Sequence, residues 1–104
     1  MVGKNKKRGH RSSYQLLLLH LLKWQFQRER RSRSWQKTIE RERENILEYE
    51  RQGRGRRVTA EDIDLLYQSA RRLASRETGL PLDTFRPTCP YSIDFLRDRD
   101  AMPD

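Results

Sequence analysis

Hydrophobic side chains are concentrated in four segments of this chain, and the densest of them comes first. Residues 14–27 contain six leucines that cover every side of a helix, with no β-branched residue, glycine or proline among them. A helix that is apolar all round belongs at the centre of its fold. This segment is therefore predicted to form the central helix, with Ser12 or Ser13 as its N-cap.

The second hydrophobic segment has the spacing of an amphipathic helix. Apolar residues recur at near-helical intervals from Trp35 onward, and charged residues fill most of the positions between them. The pattern predicts a helix over residues 35–52, with Ser32 or Ser34 as its N-cap. Gly53 can adopt the left-handed conformation that often follows the last turn of a helix.

The third segment gives the clearest amphipathic pattern in the chain. Its apolar residues follow helical spacing from Ile63 to Ala74. Just before them, Thr59 and Asp62 resemble a capping box, in which each side chain bonds the backbone amide of the other residue. Gly79 suits the left-handed conformation at a helix end. The third helix is therefore predicted between Thr59 and Gly79.

The fourth segment contains several prolines, which favour an extended loop. Its large apolar residues are too many for a free tail, so we expect it to fold back onto the helices, with a short helix over residues 92–97. The predicted fold is all-α, a small helical bundle of three main helices plus a short C-terminal helix and an extended wrap. Residues 1–11 would be a flexible basic arm, residues 12–97 a single helical domain and residues 98–104 a disordered tail.

Charge is abundant in this sequence and unevenly distributed. The 104 residues have a formal net charge of +8, and 37% of them are charged. Residues 1–35 carry ten lysine or arginine residues and one acid, whereas residues 36–104 carry thirteen basic and fourteen acidic residues. The N-terminal third is therefore the basic part of the chain. Such asymmetry is typical of a surface that meets an anionic partner.

Composition and patterning exclude several classes of protein. A single cysteine, Cys89, cannot form an intramolecular disulfide, which excludes a disulfide-stabilised secreted scaffold. The leucine run at residues 16–22 is interrupted by His20 and is too short to span a bilayer. No small-residue cleavage site of a signal peptide follows it. We therefore expect a cytoplasmic protein without a membrane partner.

The connection after the first helix is the strongest candidate for a functional surface. Its basic side chains could bind an anion or an acidic partner: Lys23, Arg28, Arg30, Arg31 and Arg33. Aromatic residues nearby could stack on bases if the partner is a nucleic acid. The alternative is a structural role, in which these basic groups pair with acidic faces of the other helices. A second set of residues is expected in the core or at an interface: Leu17, His20, Leu21, Trp24, Trp35 and Tyr67.

No catalytic or metal-binding set can be assembled from this sequence. His20 and Trp24 share a helix face, but no second histidine, cysteine or carboxylate pair supplies the spacing of metal ligands. Cys89 has no histidine base nearby in sequence. The acidic residues at 61–64 lie in a first helical turn, where the helix dipole already explains them. We therefore predict a protein that is not an enzyme and uses no cofactor, metal or small-molecule substrate.

Four stretches together carry a family resemblance. They are HLLKWQFQRERRSRSW at 20–35, TI at 38–39, YQSARRLASRETGLP at 67–81 and F-x-P-x-CPYS at 85–92. In this order they closely resemble the bacterial helical proteins of domain-of-unknown-function family 29, which are frequent in cyanobacteria. The resemblance covers residues 10–97, and it implies an all-α fold without implying any particular activity.

The resemblance also gives an expectation about the central helix. Family members are usually longer, with an acidic segment ahead of the matching part that resembles helices packing on the leucine-rich one. Because Met1 falls about where the linker after that segment would lie, the leucine-rich helix is expected to lack one of its usual covers. Self-association or a partner protein would then cover the exposed face, unless the chain is a truncated relic.

Two functions are predicted from these observations. The leading prediction is a non-enzymatic protein–protein interaction module that acts through the leucine-rich helix and the basic connection. Its partner would be another protein or further copies of itself. The alternative is a nucleic-acid-binding protein that uses the basic residues at 4–11 and 28–33.

Overall fold

Four α-helices and two short 3₁₀ helices make up the regular structure of the residues that the structure describes. The computed structural model describes residues 9–53 and 57–104, and within these ranges it contains no β-strand. The helices are α1 (His10–Phe26), α2 (Arg33–Arg51), α3 (Ala60–Thr78) and α4 (Ile93–Arg97). This architecture confirms the predicted all-α bundle of three main helices and a short C-terminal helix. Residues 1–8 of the predicted basic arm lie outside the described residues.

Helix α1 lies between α2 and α3 and packs on both of them. Helix α2 runs antiparallel to α1, because His10 at the start of α1 contacts Glu50 at the end of α2. Helix α3 runs parallel to α1. Two ion pairs establish this direction, one from Arg11 to Asp62 near both helix starts and one from Lys23 to Glu77 near both ends.

The central position of α1 explains why its leucines cover every side of the helix. Four of them have no exposed surface: Leu17, Leu18, Leu21 and Leu22. Leu19 is also buried, and Leu16 is half-buried. Elements of the chain itself therefore cover most of the leucine-rich helix. The family resemblance predicted an uncovered face on this helix. In the structure that face is limited to the edge formed by Leu16 and Leu19.

Helix α1 begins one turn earlier than the sequence predicted. Its N-cap is Gly9, which makes no side-chain cap bond, so the prediction of Ser12 or Ser13 as the cap is wrong. Ser13 is instead buried inside the helix. The extra turn is stabilised by tertiary contacts of His10, which is buried and stacks on Tyr49 of α2 with 5.0 Å between ring centroids. Local sequence does not encode that contact.

The ends of α2 and α3 follow their predicted signals. Ser32 caps α2 by accepting a hydrogen bond from the Trp35 amide at 3.1 Å. Thr59 and Asp62 form the capping box of α3, each side chain accepting from the other residue's amide, at 3.2 Å and 2.9 Å. Gly79 ends α3 with a φ of 77°, a left-handed conformation that costs glycine little. Replacement of the N-caps Ser32 or Thr59 by alanine would cost about 1 kcal/mol each.

The segment after α3 wraps around the helices without regular pairing. Phe85 is fully buried and meets Phe26 edge to face, with 5.1 Å between centroids. Side chains of α3 bond the backbone carbonyls of this segment. Tyr67 donates to Arg86 O at 2.6 Å, Gln68 to Pro87 O at 2.6 Å and Arg71 to Phe85 O at 3.2 Å. The backbone carbonyls of this irregular segment thus accept hydrogen bonds from side chains of a neighbouring helix.

Residues 98–104 contact the helices, which differs from the predicted disordered tail. Met102 packs against the hydrophobic core, and the carbonyl of Asp104 accepts a hydrogen bond from Arg31 at 2.9 Å. Arg99 pairs with Glu44 of α2. The polar composition of DRDAMPD suggested disorder, but Arg99, Met102 and the Asp104 carbonyl contact other parts of the fold.

Candidate interaction surface

The predicted basic surface divides into two groups in the structure. Arg28, Arg30 and Arg33 are exposed, and none of their side chains has a hydrogen-bond or ion-pair partner among residues 9–53 and 57–104. Lys23 and Arg31 are engaged within the fold. The first group could meet an anionic partner, whereas the second group has the structural role that the sequence left open as an alternative.

Lys23 and Arg31 each cover a tryptophan. Arg31 donates from Nε to Trp24 O at 2.8 Å, and its guanidinium lies 4.9 Å from the Trp24 ring centroid. Lys23 pairs with Glu77 at 2.8 Å, and its ammonium lies 5.0 Å from the Trp35 ring centroid. These cation–π contacts occupy one face of each indole. Base stacking on the occupied face of either tryptophan would have to displace its cation.

The remaining predicted site residues lie in or beside the core. Leu17, Leu21 and Tyr67 are fully buried. His20 is half-buried and makes a 3.0 Å hydrogen bond between its Nδ1 and the carbonyl of Leu16 in the same helix. Burial lowers the pKa of His20, so the neutral imidazole is favoured near neutral pH. These positions are structural in their contacts, and none of them faces a second histidine or a carboxylate cluster within the described part of the chain.

A polar cluster that the sequence did not predict joins three helix ends. Glu50 of α2 accepts hydrogen bonds from Tyr14 at 3.0 Å and from Arg97 of α4 at 3.1 Å, and its Oε2 lies 2.9 Å from His10 Nε2. Burial works against the charged Glu50, but the bonds from His10, Tyr14 and Arg97 outweigh it and lower the pKa of this carboxyl. The cluster therefore links the start of α1 to the end of α2 and to α4.

Asp62 and Cys89, two of the groups weighed as catalytic candidates from the sequence, have structural partners. Asp62 belongs to the capping box and pairs with Arg11 at 3.0 Å. Cys89 is half-buried, and its thiol lies 3.5 Å from Tyr91 O. Burial raises the pKa of Cys89, which disfavours the reactive thiolate. The described residues contain no group of three or more histidine, cysteine or carboxylate residues arranged to hold a metal ion.

An apolar groove lies between α1 and α3. Its volume is about 210 Å³, and its lining, here called the leucine groove, consists of Ser12, Gln15, Leu16, Leu19 and Leu73. Its α1 residues run from Ser12 to Leu19, which is about 10 Å or two turns of helix.

Helix α3 presents a stripe of five positions to solvent, of which four are exposed and Ser69 is half-buried. The stripe, here called the α3 stripe, consists of Glu61, Leu65, Ser69, Arg72 and Arg76. At 100° per residue these five positions fall within an arc of about 80°. Leu65 is 65% exposed, and Leu82 at 39% is the other exposed large hydrophobic residue of the described ranges. The sequence does contain a signal for an exposed leucine here. Leu65 and Leu66 are adjacent, and only one of two adjacent leucines can face the core of an amphipathic helix.

A second concavity lies over the C-terminal wrap. It is open to solvent, has a volume of about 530 Å³, and is lined by Gln25, Arg86, Pro90, Tyr91, Ser92, Phe95, Pro103 and Asp104. Several of its polar groups already serve the fold. Tyr91 donates to Gln25 Oε1 at 2.7 Å, and Ser92 caps α4 by accepting from the Phe95 amide at 3.0 Å. This depression therefore offers few uncommitted groups to a ligand.

These features define a small all-α bundle with a C-terminal wrap and an apolar groove on its surface. The chain belongs to the family described as Domain of unknown function DUF29, whose model matches residues 1–102 of the 104. The family resemblance seen in the sequence is thus confirmed, and it covers nearly the whole chain. No curated protein and no solved structure gives a significant match. Within the described ranges, the helices are all too short or too polar to cross a membrane.

Proposed function

We propose that this protein is a non-enzymatic protein–protein interaction module, and that its α1/α3 face binds a partner protein. The observation that carries the proposal is the exposure of Leu65 on α3, the helix that also contributes Leu73 to the leucine groove. Leu65 exposes 65% of its surface, whereas the fold buries most of its other large apolar side chains. A single exposed leucine is ordinary, but Leu65 shares its helix with a residue of the groove lining, so one partner can contact both.

The chemistry of the groove favours binding over catalysis. Its lining contains three leucines, a serine and a glutamine, and it includes no carboxylate, histidine, lysine or arginine. Complete burial of one leucine side chain stabilises a complex by roughly 1.5–3 kcal/mol. A groove of about 210 Å³ along the two turns of α1 from Ser12 to Leu19 is suited to a few apolar side chains of a partner.

Site-specific photo-crosslinking tests this proposal. A benzophenone amino acid placed at position 65 of the full-length chain is expected to give discrete protein adducts in the cell that makes the protein. The same amino acid at position 82 is the matched control, because Leu82 is exposed but lies away from the groove. Removing a leucine anchor should weaken binding by roughly tenfold or more, so Leu19→Asp should reduce the adducts at position 65.

The result has two clear outcomes. Adducts that form at position 65, fail at position 82 and decrease with Leu19→Asp would support the interaction module. Because Leu19 is buried, circular dichroism must first show that the variant keeps its helices, and Gln15→Glu at the groove rim provides a milder second variant. Equal labelling at both positions, or no adduct at either, would refute the proposal.

A second candidate function is nucleic-acid binding, which the three unpartnered guanidiniums of Arg28, Arg30 and Arg33 favour. Each phosphate contact releases counterions, so the logarithm of the binding constant should fall with the logarithm of salt concentration. Replacing all three arginines by glutamine should reduce that slope by about 2–3, at roughly 0.7–0.9 per contact. Because cations cover one face of Trp24 and of Trp35, we expect little dependence on base sequence.

Fluorescence anisotropy with duplex and single-stranded oligonucleotides over a range of salt concentrations measures this slope. Arg31→Gln is unsuitable as a control because Arg31 bonds Trp24 and Asp104 within the fold. Arg57→Gln is a better control, since this exposed residue lies away from the connection. Binding that is absent, or that changes equally in the triple variant and the control, would rule out this surface.

A further inference from the structure

We infer that the occupant of the α1/α3 face is a second copy of this chain, bound antiparallel about a two-fold axis at Ser69. The inference rests on the proposed function and names its partner. It is carried by the symmetric order of four side chains about Ser69 on α3, namely Glu61, Leu65, Leu73 and Arg76. A two-fold dimer requires such an order, because each surface must be complementary to itself.

The apolar positions are symmetric about Ser69. Leu65 lies four residues before Ser69 and Leu73 lies four residues after it, so each is about 6 Å from Ser69 along the helix axis. In an antiparallel pair centred on Ser69, Leu65 of one copy lies at the level of Leu73 of the other. Ser69 is small and only partly exposed, so the two helices can approach closely at the centre of the contact.

The charged positions select the antiparallel direction. Glu61 lies about 12 Å from Ser69 toward the start of α3, and Arg76 lies about 10 Å toward its end. Both are exposed, and neither side chain has a hydrogen-bond or ion-pair partner in the ranges that the structure describes. An antiparallel second copy brings Glu61 to the level of Arg76 at both ends of the contact. A parallel copy would instead place Glu61 beside Glu61 and Arg76 beside Arg76.

The leucine groove takes part in the same contact. The two-fold axis places the α1 helices of both copies on the same side, so the groove edge at Leu16 and Leu19 faces its counterpart. A contact two helices wide and about 24 Å long covers roughly 500 Å² per copy, near the lower limit for a specific interface. Dimerisation should therefore depend on concentration in the micromolar range.

Sedimentation velocity over a series of protein concentrations tests the charge order. The native chain should change from monomer to dimer as concentration rises. Glu61→Arg and Arg76→Glu should each shift the transition to higher concentration by roughly tenfold, because each puts like charges together twice. An equimolar mixture of the two variants should recover the native behaviour, since each mixed dimer has opposite charges at both ends. Leu82→Glu, at an exposed leucine outside this face, should leave the transition unchanged.

Disulfide trapping tests the position of the axis. In a Cys89→Ser background, Ser69→Cys should form a disulfide-linked dimer under mild oxidation, because the axis brings position 69 next to its own counterpart. Leu82→Cys in the same background is the control and should form little linked dimer. Circular dichroism of each variant checks that the helices persist.

The outcomes separate this inference from the proposed function. If the chain stays monomeric at all concentrations while position 65 crosslinks to a different protein, the dimer inference is wrong. The proposed interaction module would still be supported. If the charge variants leave the monomer–dimer transition unchanged and Ser69→Cys forms no disulfide-linked dimer, the dimer forms by another surface. This result also overturns the inference. Position 65 adducts of twice the chain mass, together with recovery in the mixture, support it.

Discussion

Replacing Arg43 by alanine should lower the free energy of unfolding by about 3–5 kcal/mol, a large part of the stability of a domain this size. The Arg43 guanidinium is almost fully buried in α2 and donates from Nε to Leu96 O at 3.0 Å and from Nη2 to Phe95 O at 2.9 Å. It also lies 5.5 Å from the centroid of the Phe95 ring. The substitution would remove two charge-assisted hydrogen bonds and leave a cavity under α4.

Acidic residues near the end of the chain lie close enough to Arg43 to affect its pKa. Burial lowers the pKa of its guanidinium, while the nearby carboxylates of Asp98 and Asp100 oppose that shift. Arg43→Lys keeps the charge but cannot bond two carbonyls with the geometry of a guanidinium, so an intermediate loss is expected.

Urea denaturation followed by circular dichroism measures both Arg43 variants. Lys37→Ala is the matched control on the same helix, because Lys37 is exposed and makes no side-chain hydrogen bond or ion pair with the described residues. The control should change stability by no more than about 0.5 kcal/mol. A loss at Arg43 no larger than that at Lys37 would contradict the assigned role.

The second large effect is expected at alkaline pH, where three buried tyrosines must ionise. Burial raises the pKa of Tyr14 to about 12, against an opposing hydrogen bond from Arg97, and burial also raises the pKa of Tyr67 to about 12. The pKa of Tyr91 is raised by burial as well. All three side chains have less than a tenth of their surface exposed, and their hydroxyls bond partners inside the fold.

The direction of the effect follows from proton binding. A tyrosine whose pKa is higher in the folded than in the unfolded chain contributes stability that is complete below about pH 10 and is lost as the pH rises to about 12. At about 1.4 kcal/mol per pKa unit, Tyr14 and Tyr67 together account for about 5 kcal/mol. Tyr91 adds to the loss, so unfolding is expected within this pH interval.

Ultraviolet absorbance of tyrosinate and far-ultraviolet circular dichroism, recorded on the same samples, test this expectation. Loss of helix should accompany ionisation of the buried tyrosines. Tyr67→Phe removes one ionisable group, so its stability should fall less steeply between pH 10 and pH 12, although its hydrogen bond to Arg86 O is lost. Complete ionisation near pH 10 with the helices intact would show that the tyrosines do not stabilise the folded state in this way.

The sequence predicted those features of the fold that depend on neighbouring residues. The capping box of Thr59 and Asp62, the Ser32 cap and the left-handed Gly79 are local, so their residue types and spacing were sufficient. The start of α1 was predicted wrongly because its stability depends on Glu50, which lies 40 residues away in sequence. Local signals can place helix ends only where tertiary contacts do not extend the helix.

The candidate surface was predictable only in part for the same reason. The sequence identified five basic side chains, but it could not show that Lys23 pairs with Glu77, 54 residues away, or that Arg31 reaches Asp104, 73 residues away. For the same reason, it could not show that Arg28, Arg30 and Arg33 are the exposed members of this set. The leucine groove was not predicted, because it depends on the parallel alignment of α1 and α3, and the exposure of Leu65 was missed although the adjacent Leu65 and Leu66 indicated it.

The C-terminal wrap has a consequence for the order in which the protein is built. Its carbonyls are bonded by side chains of α2 and α3, and its bond from Arg43 to Leu96 O joins residues 53 positions apart. Contacts of such long range form only after distant parts of the chain have met. On the ribosome, the wrap is also synthesised after the three helices that it covers. The helices therefore leave the ribosome with the sites for Phe85 and Leu96 still empty, and the core closes only when synthesis of the wrap is complete.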